Sequence, residues 1–227
     1  MAYAVPAPAL VTVPVVGGDP FPVRRIYCVG RNYAAHAREM GSNPDREPPF
    51  FFMKPADAIL ANGSTMAYPP QTKNLHHEIE LVVAIGKQGK DIPVEEALGY
   101  VYGYAVGLDM TRRDLQNEAK TTGRPWEMGK GFDQSAPIAP IHKASETGPI
   151  DKGAIWLDVN GTRRQLGDIS DLIWSVPEVI AYLSGLVALQ PGDLIYSGTP
   201  EGVAAVVRGD RLHGHVDGLT DLDVVIG

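Results

Sequence analysis

Glu78 and Glu80 stand two residues apart in His76-His77-Glu78-Ile79-Glu80-Leu81-Val82-Val83-Ala84-Ile85-Gly86, a run that reads as a strand. Strand alternation puts Glu78, Glu80, Val82 and Ala84 on one face and Ile79, Leu81 and Val83 on the other. The first face begins with two carboxylates and turns apolar, so it is not simply a solvent face. Carboxylates at i, i+2 project side by side and repel each other unless a cation lies between them. A hard divalent ion with oxygen ligands, Mg²⁺ or Mn²⁺, resolves that conflict; a strand end emerging into water is the competing reading. Asp109 closes the apolar run Tyr104-Ala105-Val106-Gly107-Leu108 just before a stretch of helical composition. As an N-cap it would be worth about 1 kcal/mol. With Thr111 capping instead, Asp109 is free to face Glu78 and Glu80. Three carboxylates leave an ion with open positions for water and a chelating substrate, which suits Lewis-acid chemistry.

His36 and Glu39 form an i, i+3 pair on a short predicted helix, where a carboxylate can orient an imidazole for water activation. An exposed surface pair is the bland alternative. His76 and His77 fit strand-entry or supporting roles better than ligation, because a hard-ion carboxylate site rarely needs imidazole. Cys28, the single cysteine, lies in the apolar Ile26-Tyr27-Cys28-Val29 and reads as a buried structural thiol, consistent with a reducing compartment.

The elements that position these groups follow from patterning. Strands are expected over 24–29, 50–53, 77–86, 100–110, 155–159, 163–166, 194–197 and 216–226, with Asn160-Gly161 marking a hairpin. Helical segments are expected over 32–40, from Pro93 to near Gly99, over 111–122 (opened by a weak Thr111-to-Asp114 capping box) and over 177–186. Residues 1–22, rich in Val, Ala and Pro, read as an extended arm, and 23–227 as a single catalytic domain. Many strands with few short helices, out of strict βαβ order, indicate an α+β or mostly-β fold. Trp126 and Phe50–Phe52 read as core or pocket wall; Lys54 could approach the metal site, with a surface lysine before a turn as the bland reading.

The chain has 227 residues, 20 basic against 27 acidic, for a net charge of −7. Without a basic face, nucleic acid is not an expected partner. The N-terminal stretch lacks a basic region and is broken by prolines, and no apolar run is long enough to span a bilayer. A cytoplasmic protein without membrane partners is the expectation.

Four stretches together carry a resemblance: Cys28-Val29-Gly30-Arg31-Asn32-Tyr33-Ala34-Ala35-His36; His77-Glu78-Ile79-Glu80-Leu81; Gly107-Leu108-Asp109-Met110-Thr111-Arg112-Arg113-Asp114-Leu115-Gln116; and Ser197-Gly198-Thr199-Pro200. In order and spacing they resemble the fumarylacetoacetate hydrolase family, in its short single-domain members such as acylpyruvases and fumarylpyruvate hydrolases, over about residues 22–227. The resemblance implies an α+β, mostly-β fold, a mixed β-sandwich roll, in a homodimer. It implies Mg²⁺ or Mn²⁺, with Ca²⁺ as a substitute, held by Glu78, Glu80 and Asp109. It places His36 and Glu39 on a lid as the water-activating pair, and Lys130 of Met128-Gly129-Lys130-Gly131-Phe132 as a catalytic and substrate-binding group. Arg31, Arg113, Gln116 and Thr199 complete the implied substrate site.

The implied activity is hydrolysis of a carbon–carbon bond in a 2,4-diketo acid, with fumarylpyruvate first, giving fumarate and pyruvate in aromatic-compound catabolism. A decarboxylase of oxaloacetate or an oxo-tricarboxylate is the nearest alternative, and a non-catalytic metal-dependent binding protein a remote one. Taken without the resemblance, Lys130 reads as an exposed loop charge, Arg113 as a helix-surface partner of Asp109 or Asp114, and Thr199 as a turn residue.

Overall fold

Ile79–Ile85 and Val101–Leu108 pair antiparallel at the centre of an eight-stranded mixed sheet in the computed structural model, which describes residues 3–34 and 47–227. The sheet runs Phe50–Lys54, Arg25–Gly30, Asp193–Tyr196, Ile79–Ile85, Val101–Leu108, Ala136–Ile138 and Ile59–Ala61, with His142–Lys143 also paired to Val101–Leu108. Asp193–Tyr196 lies parallel to Arg25–Gly30 and antiparallel to Ile79–Ile85. Every residue of Ile79–Ile85 is buried, because both faces of the sheet are covered.

Ile79, Leu81, Val83 and Ile85 share a core with Ile155, Leu157, Leu212, Val216, Leu222 and Val224 of a five-stranded second sheet. That sheet runs Thr162–Asp168, Ala154–Val159, Arg211–Val216, Leu222–Ile226 and Thr65–Met66, so the architecture is a sandwich. Val82 and Ala84 point the opposite way, into a second cluster with Ile26, Cys28, Phe52, Ile138 and Tyr196. The alternation read from the sequence therefore holds side chain by side chain. Helices among the described residues are few and short, the longest being Arg113–Thr122 and Val176–Leu186. The fold is α+β and mostly β, as expected.

The hairpin at Asn160-Gly161 is formed, with both turn residues at positive φ (53° and 76°), joining Ala154–Val159 to Thr162–Asp168. Val176–Leu186 opens with Pro177 in its first turn, and the Glu178 carboxylate accepts hydrogen bonds from the backbone and hydroxyl of Ser175. The segment after Pro93 is a 3-10 helix, Val94–Tyr100.

Two local expectations are corrected. The stretch 216–226 is not one strand: it holds only the end of Arg211–Val216, then a turn in which Gly218 has φ 81°, then Leu222–Ile226. The helix expected from Thr111 begins at Arg113, because Thr111–Arg112 pairs with Leu75–His76. No Thr111–Asp114 capping box forms; Asp114 instead accepts from Thr72 Oγ1 at 2.6 Å and Lys73 N at 3.0 Å. That helix ends on Gly123 in the left-handed conformation.

Of the N-terminal arm, Tyr3, Val5 and Leu10 are exposed, whereas Val13, Val15 and Phe21 are buried against the body. Cys28 is buried and free, and burial pushes its thiol pKa well up, which leaves it inert. Among the described residues no helix is long and apolar enough to cross a membrane. His36 and Glu39 lie outside the described residues.

Candidate metal centre and anion cleft

Glu78 immediately precedes the Ile79–Ile85 strand, and Asp109 immediately follows Val101–Leu108. The pairing Ile79 to Leu108 continues one step further through the Asp109 N–H, which donates to the Glu78 carbonyl at 2.9 Å. Glu80, two residues along and opposite Gly107, projects on the same face as Glu78. Each of Glu78, Glu80 and Asp109 offers a carboxylate oxygen, and the three oxygens lie within 4.8 Å of one another. All three side chains are buried, at 4%, 2% and 0% exposure, which excludes the reading of a strand end in water. Asp109 is likewise no helix cap.

Cations surround two of the three. Lys130 Nζ, at the end of the one-turn helix Glu127–Lys130, donates to Glu78 Oε2 at 2.7 Å, Asp109 Oδ2 at 2.6 Å and Thr111 Oγ1 at 2.7 Å. Burial opposes the charge on Lys130, but Asp109 and Glu78 more than offset it, and the ammonium is held above the usual lysine range. Arg113 Nη2 donates to Glu78 Oε1, while Arg113 Nη1 donates to Gln116 Oε1 at 2.5 Å. Lys54 Nζ lies 2.9 Å from Asp109 Oδ1 and donates to the carbonyls of Met110 (3.1 Å) and Lys130.

The solvated readings of Lys130, Arg113 and Lys54 are thereby overturned: each is at most 4% exposed. For Lys54 the reading that holds is the approach to the acidic cluster. Alternation carried one residue further places Lys54 inward with Phe52, whereas Met53 is 41% exposed.

Glu80 is the exception. Gly198 N–H donates to its Oε2 at 2.8 Å, and no ion-pair partner is recorded for it among the described residues. Burial, then the charges of Asp109 and Glu78, drive its pKa well above the usual carboxylate range. A buried carboxylate held in that state beside two others is the arrangement a divalent cation relieves, and an all-oxygen donor set matches Mg²⁺ or Mn²⁺.

Neither strand-entry histidine belongs to the acidic cluster. His77 Nδ1 pairs with Gln165 Oε1 at 2.9 Å, and His76 Nε2 with Asn74 Oδ1 at 2.9 Å. Burial lowers both pKa values, His76 to about 4. Gln165 was not anticipated. It is fully buried within a strand of exposed neighbours, accepts from Ile79 N and donates to Thr199 Oγ1 and the Pro200 carbonyl, tying the Glu78–Glu80 strand to the Gly198-Thr199-Pro200 turn. Asn32 was also missed. Its amide donates to the carbonyls of Trp174 and Ser197 and accepts from Trp174 N. Gly198 is required there, because its φ is 103° and a Cβ would lie 2.7 Å from that of Asn32.

Glu78 and Glu80 open into a cleft, with the fully buried Asp109 behind them. Arg31, Arg113, Gln116 and Thr199 line it with Lys130, so every expected substrate-site residue among the described residues reaches one cavity. Phe52 and Trp126 form an apolar wall. Arg31 sits at φ 58°, a left-handed conformation unusual for a side-chain-bearing residue, next to Gly30, where a Cβ would run into the Phe50 ring.

Known proteins place this geometry. The family model described as fumarylacetoacetate (FAA) hydrolase C-terminal matches residues 25–226. A fumarylpyruvate hydrolase from a Ralstonia species is 46% identical, covering 83% of this chain and 98% of its own. The human mitochondrial oxaloacetate tautomerase FAHD1 is 43% identical, covering 88% of this chain and 90% of its own. The crystal structure of fumarylpyruvate hydrolase from Pseudomonas aeruginosa in complex with Mn²⁺ and pyruvate superposes with a TM-score of 0.97 at 58% identity, covering 99% of each chain. With a match over nearly its whole length and the acidic cluster at the floor of the cleft, this chain belongs to the fumarylacetoacetate hydrolase family.

Proposed function

We propose that this protein hydrolyses a carbon–carbon bond of an acylpyruvate, with fumarylpyruvate the first candidate, yielding fumarate and pyruvate. The observation that carries the reading is the pairing of three buried carboxylates with a cleft whose other charged residues are all cationic. Carboxylates alone would repel a diketo acid; a cation-loaded cluster beside Arg31, Arg113 and Lys130 attracts one. The solved relative that holds Mn²⁺ and pyruvate supports the same assignment.

Glu78, Glu80 and Asp109 are the ligands for Mg²⁺ or Mn²⁺, which when bound supplies Lewis-acid stabilisation of the enolate oxygen that develops as the bond breaks. Arg113 holds Glu78, and Lys54 holds Asp109, in the orientation required. The Lys130 ammonium, fixed protonated by its two carboxylate neighbours, is a hydrogen-bond donor to oxyanion charge, and Gln116 on the adjacent helix face is a second. Arg31 takes a substrate carboxylate. The general base is His36, oriented by Glu39 through their i, i+3 spacing in sequence; His36 takes the proton from the water that attacks the acyl carbonyl. No activated serine is present among the described residues and Cys28 is buried and protonated, which favours direct water attack over a covalent intermediate.

The same reading takes residues 23–227 as one catalytic domain working as a homodimer in the cytoplasm, with the exposed apolar side chains of the arm available for subunit contact. A second reading is favoured by the relatives named oxaloacetate tautomerase: a reaction of oxaloacetate, tautomerisation or decarboxylation, on the same enolate-stabilising groups. Turnover of fumarylpyruvate and oxaloacetate by the Mn²⁺-loaded protein separates them. Faster loss of the fumarylpyruvate diketone is expected; faster conversion of oxaloacetate reverses the assignment.

A further inference from the structure

Arg113, Gln116 and Lys120 are spaced i, i+3, i+7 and therefore share one face of the Arg113–Thr122 helix. The first two are engaged with Glu78 and with each other. Lys120, one turn further out, lines the same cleft, is half-buried, and has no carboxylate partner among the described residues. Its Nζ stands 5.1 Å from the centre of the Trp126 ring. Trp126 packs edge-on against Phe50, and the Arg31 guanidinium stands 5.5 Å from the centre of that second ring. Two cations thus stand on adjoining rings of one aromatic wall, beyond the groups that contact the acidic cluster.

We infer that Lys120, together with Arg31, binds a carboxylate at the acyl end of the substrate and so selects diacid acylpyruvates over those with a neutral acyl group. The inference rests on the acylpyruvate reading above and names the part of the cleft that reads the acyl chain. An exposed lysine has water around its charge; Lys120 has lost part of that water and faces Arg113 and Arg31. Burial, then these two cations, lower its pKa to about 8 in the open cleft, while Glu78 opposes and Lys130 adds to the shift. An arriving carboxylate restores the missing counter-charge, whereas a methyl group leaves the cost in place.

The test compares Mn²⁺-loaded wild type, Lys120→Met and Lys120→Arg on fumarylpyruvate and acetylpyruvate, and reads the ratio of the two kcat/KM values. Lys120→Met is expected to lower the ratio about tenfold, chiefly through KM for fumarylpyruvate, as loss of one charge-assisted hydrogen bond implies. Lys120→Arg is expected to restore it to within about twofold. A lysine that merely props Trp126 would change both substrates alike, and an unchanged ratio overturns the inference. If wild type turns over neither acylpyruvate, the hydrolase reading falls and this inference with it. Turnover of both with an unchanged ratio removes the Lys120 assignment alone.

Discussion

Asp109 donates its backbone N–H to the carbonyl of Glu78 at 2.9 Å, as the step beyond the last paired residues of two central strands. The separation of these two proposed ligands is therefore fixed by a sheet ladder and not by a loop. Side chains on such a scaffold are placed before any ion arrives. Glu80 completes the cluster from the same strand as Glu78, without an ion-pair partner among the described residues. Glu80→Ala is expected to weaken Mn²⁺ binding by more than about 100-fold, since loss of even an outer partner of a ligand costs about 10–100-fold. Calorimetric titration of Mn²⁺ checks this, alongside activity lost to a chelator and restored by Mn²⁺. Wild-type affinity in the variant would remove Glu80 from the ligand set.

His36→Ala is expected to separate catalysis from metal binding. Removing a general base lowers kcat by about 10²–10⁴-fold. Mn²⁺ affinity should stay within about twofold of wild type. A parallel fall in affinity would make His36 a ligand and leave water activation without its base.

Lys130→Met tests the charge balance of the centre. Lys130 bridges Glu78 and Asp109, so its loss leaves buried carboxylates under-compensated, at a cost of about 3–5 kcal/mol in the metal-free protein. Mn²⁺ should return part of that stability by binding only the folded state. Urea unfolding with and without Mn²⁺ reads both quantities. Equal destabilisation in the two conditions would mean that lysine and ion act at separate places.

A second prediction of stability concerns the far sheet. His215 Nδ1 lies 2.6 Å from Asp221 Oδ1 and Nε2 lies 3.0 Å from Asp217 Oδ1. Burial lowers the His215 pKa, but the two aspartates raise it more, and the net value lies above 6.5. The folded state therefore holds the proton more tightly than the unfolded chain. This stabilisation is fully present below pH about 6.5 and is lost as pH rises through the folded-state pKa. Because the ring is 24% exposed and its partners Asp217 and Asp221 are 58% and 39% exposed, solvent screens the pairs and the contribution is below about 1 kcal/mol. The difference in urea midpoint between wild type and His215→Asn should be larger at pH 6 than at pH 9. A pH-independent difference would assign the contact to packing on Trp156, whose ring stacks on His215.

Much of the centre was legible because strand alternation is a local rule. Glu78, Glu80, Val82 and Ala84 were placed on one face from spacing alone, and the two separate cores confirm it. Asp109 was legible as the third carboxylate near the end of the expected strand 100–110, although nothing local pairs that strand with 77–86. The cations were not read so directly. Lys130 and Arg113 looked solvated when judged by composition, because their burial depends on carboxylates 52 and 35 residues distant. Gln165 and Asn32 carry no local signature; each is defined by backbone groups that only the folded sheets bring within reach. The turn within 216–226 was missed for the opposite reason, a continuous β-rich composition masking a break at Gly218.

Asn32 joins the segment bearing Arg31 to the Ser197 carbonyl, one residue before the amide that holds Glu80. The residue proposed to take a substrate carboxylate and the peptide that holds the proposed ligand Glu80 are thus linked through a single side-chain amide. A displacement of Arg31 along its chain would strain the bond to the peptide that precedes Gly198, and so would carry from the cleft's outer charge to its inner acid. Asn32→Asp would keep the shape but turn both donated bonds into oxygen–oxygen contacts, decoupling the mouth of the cleft from its floor.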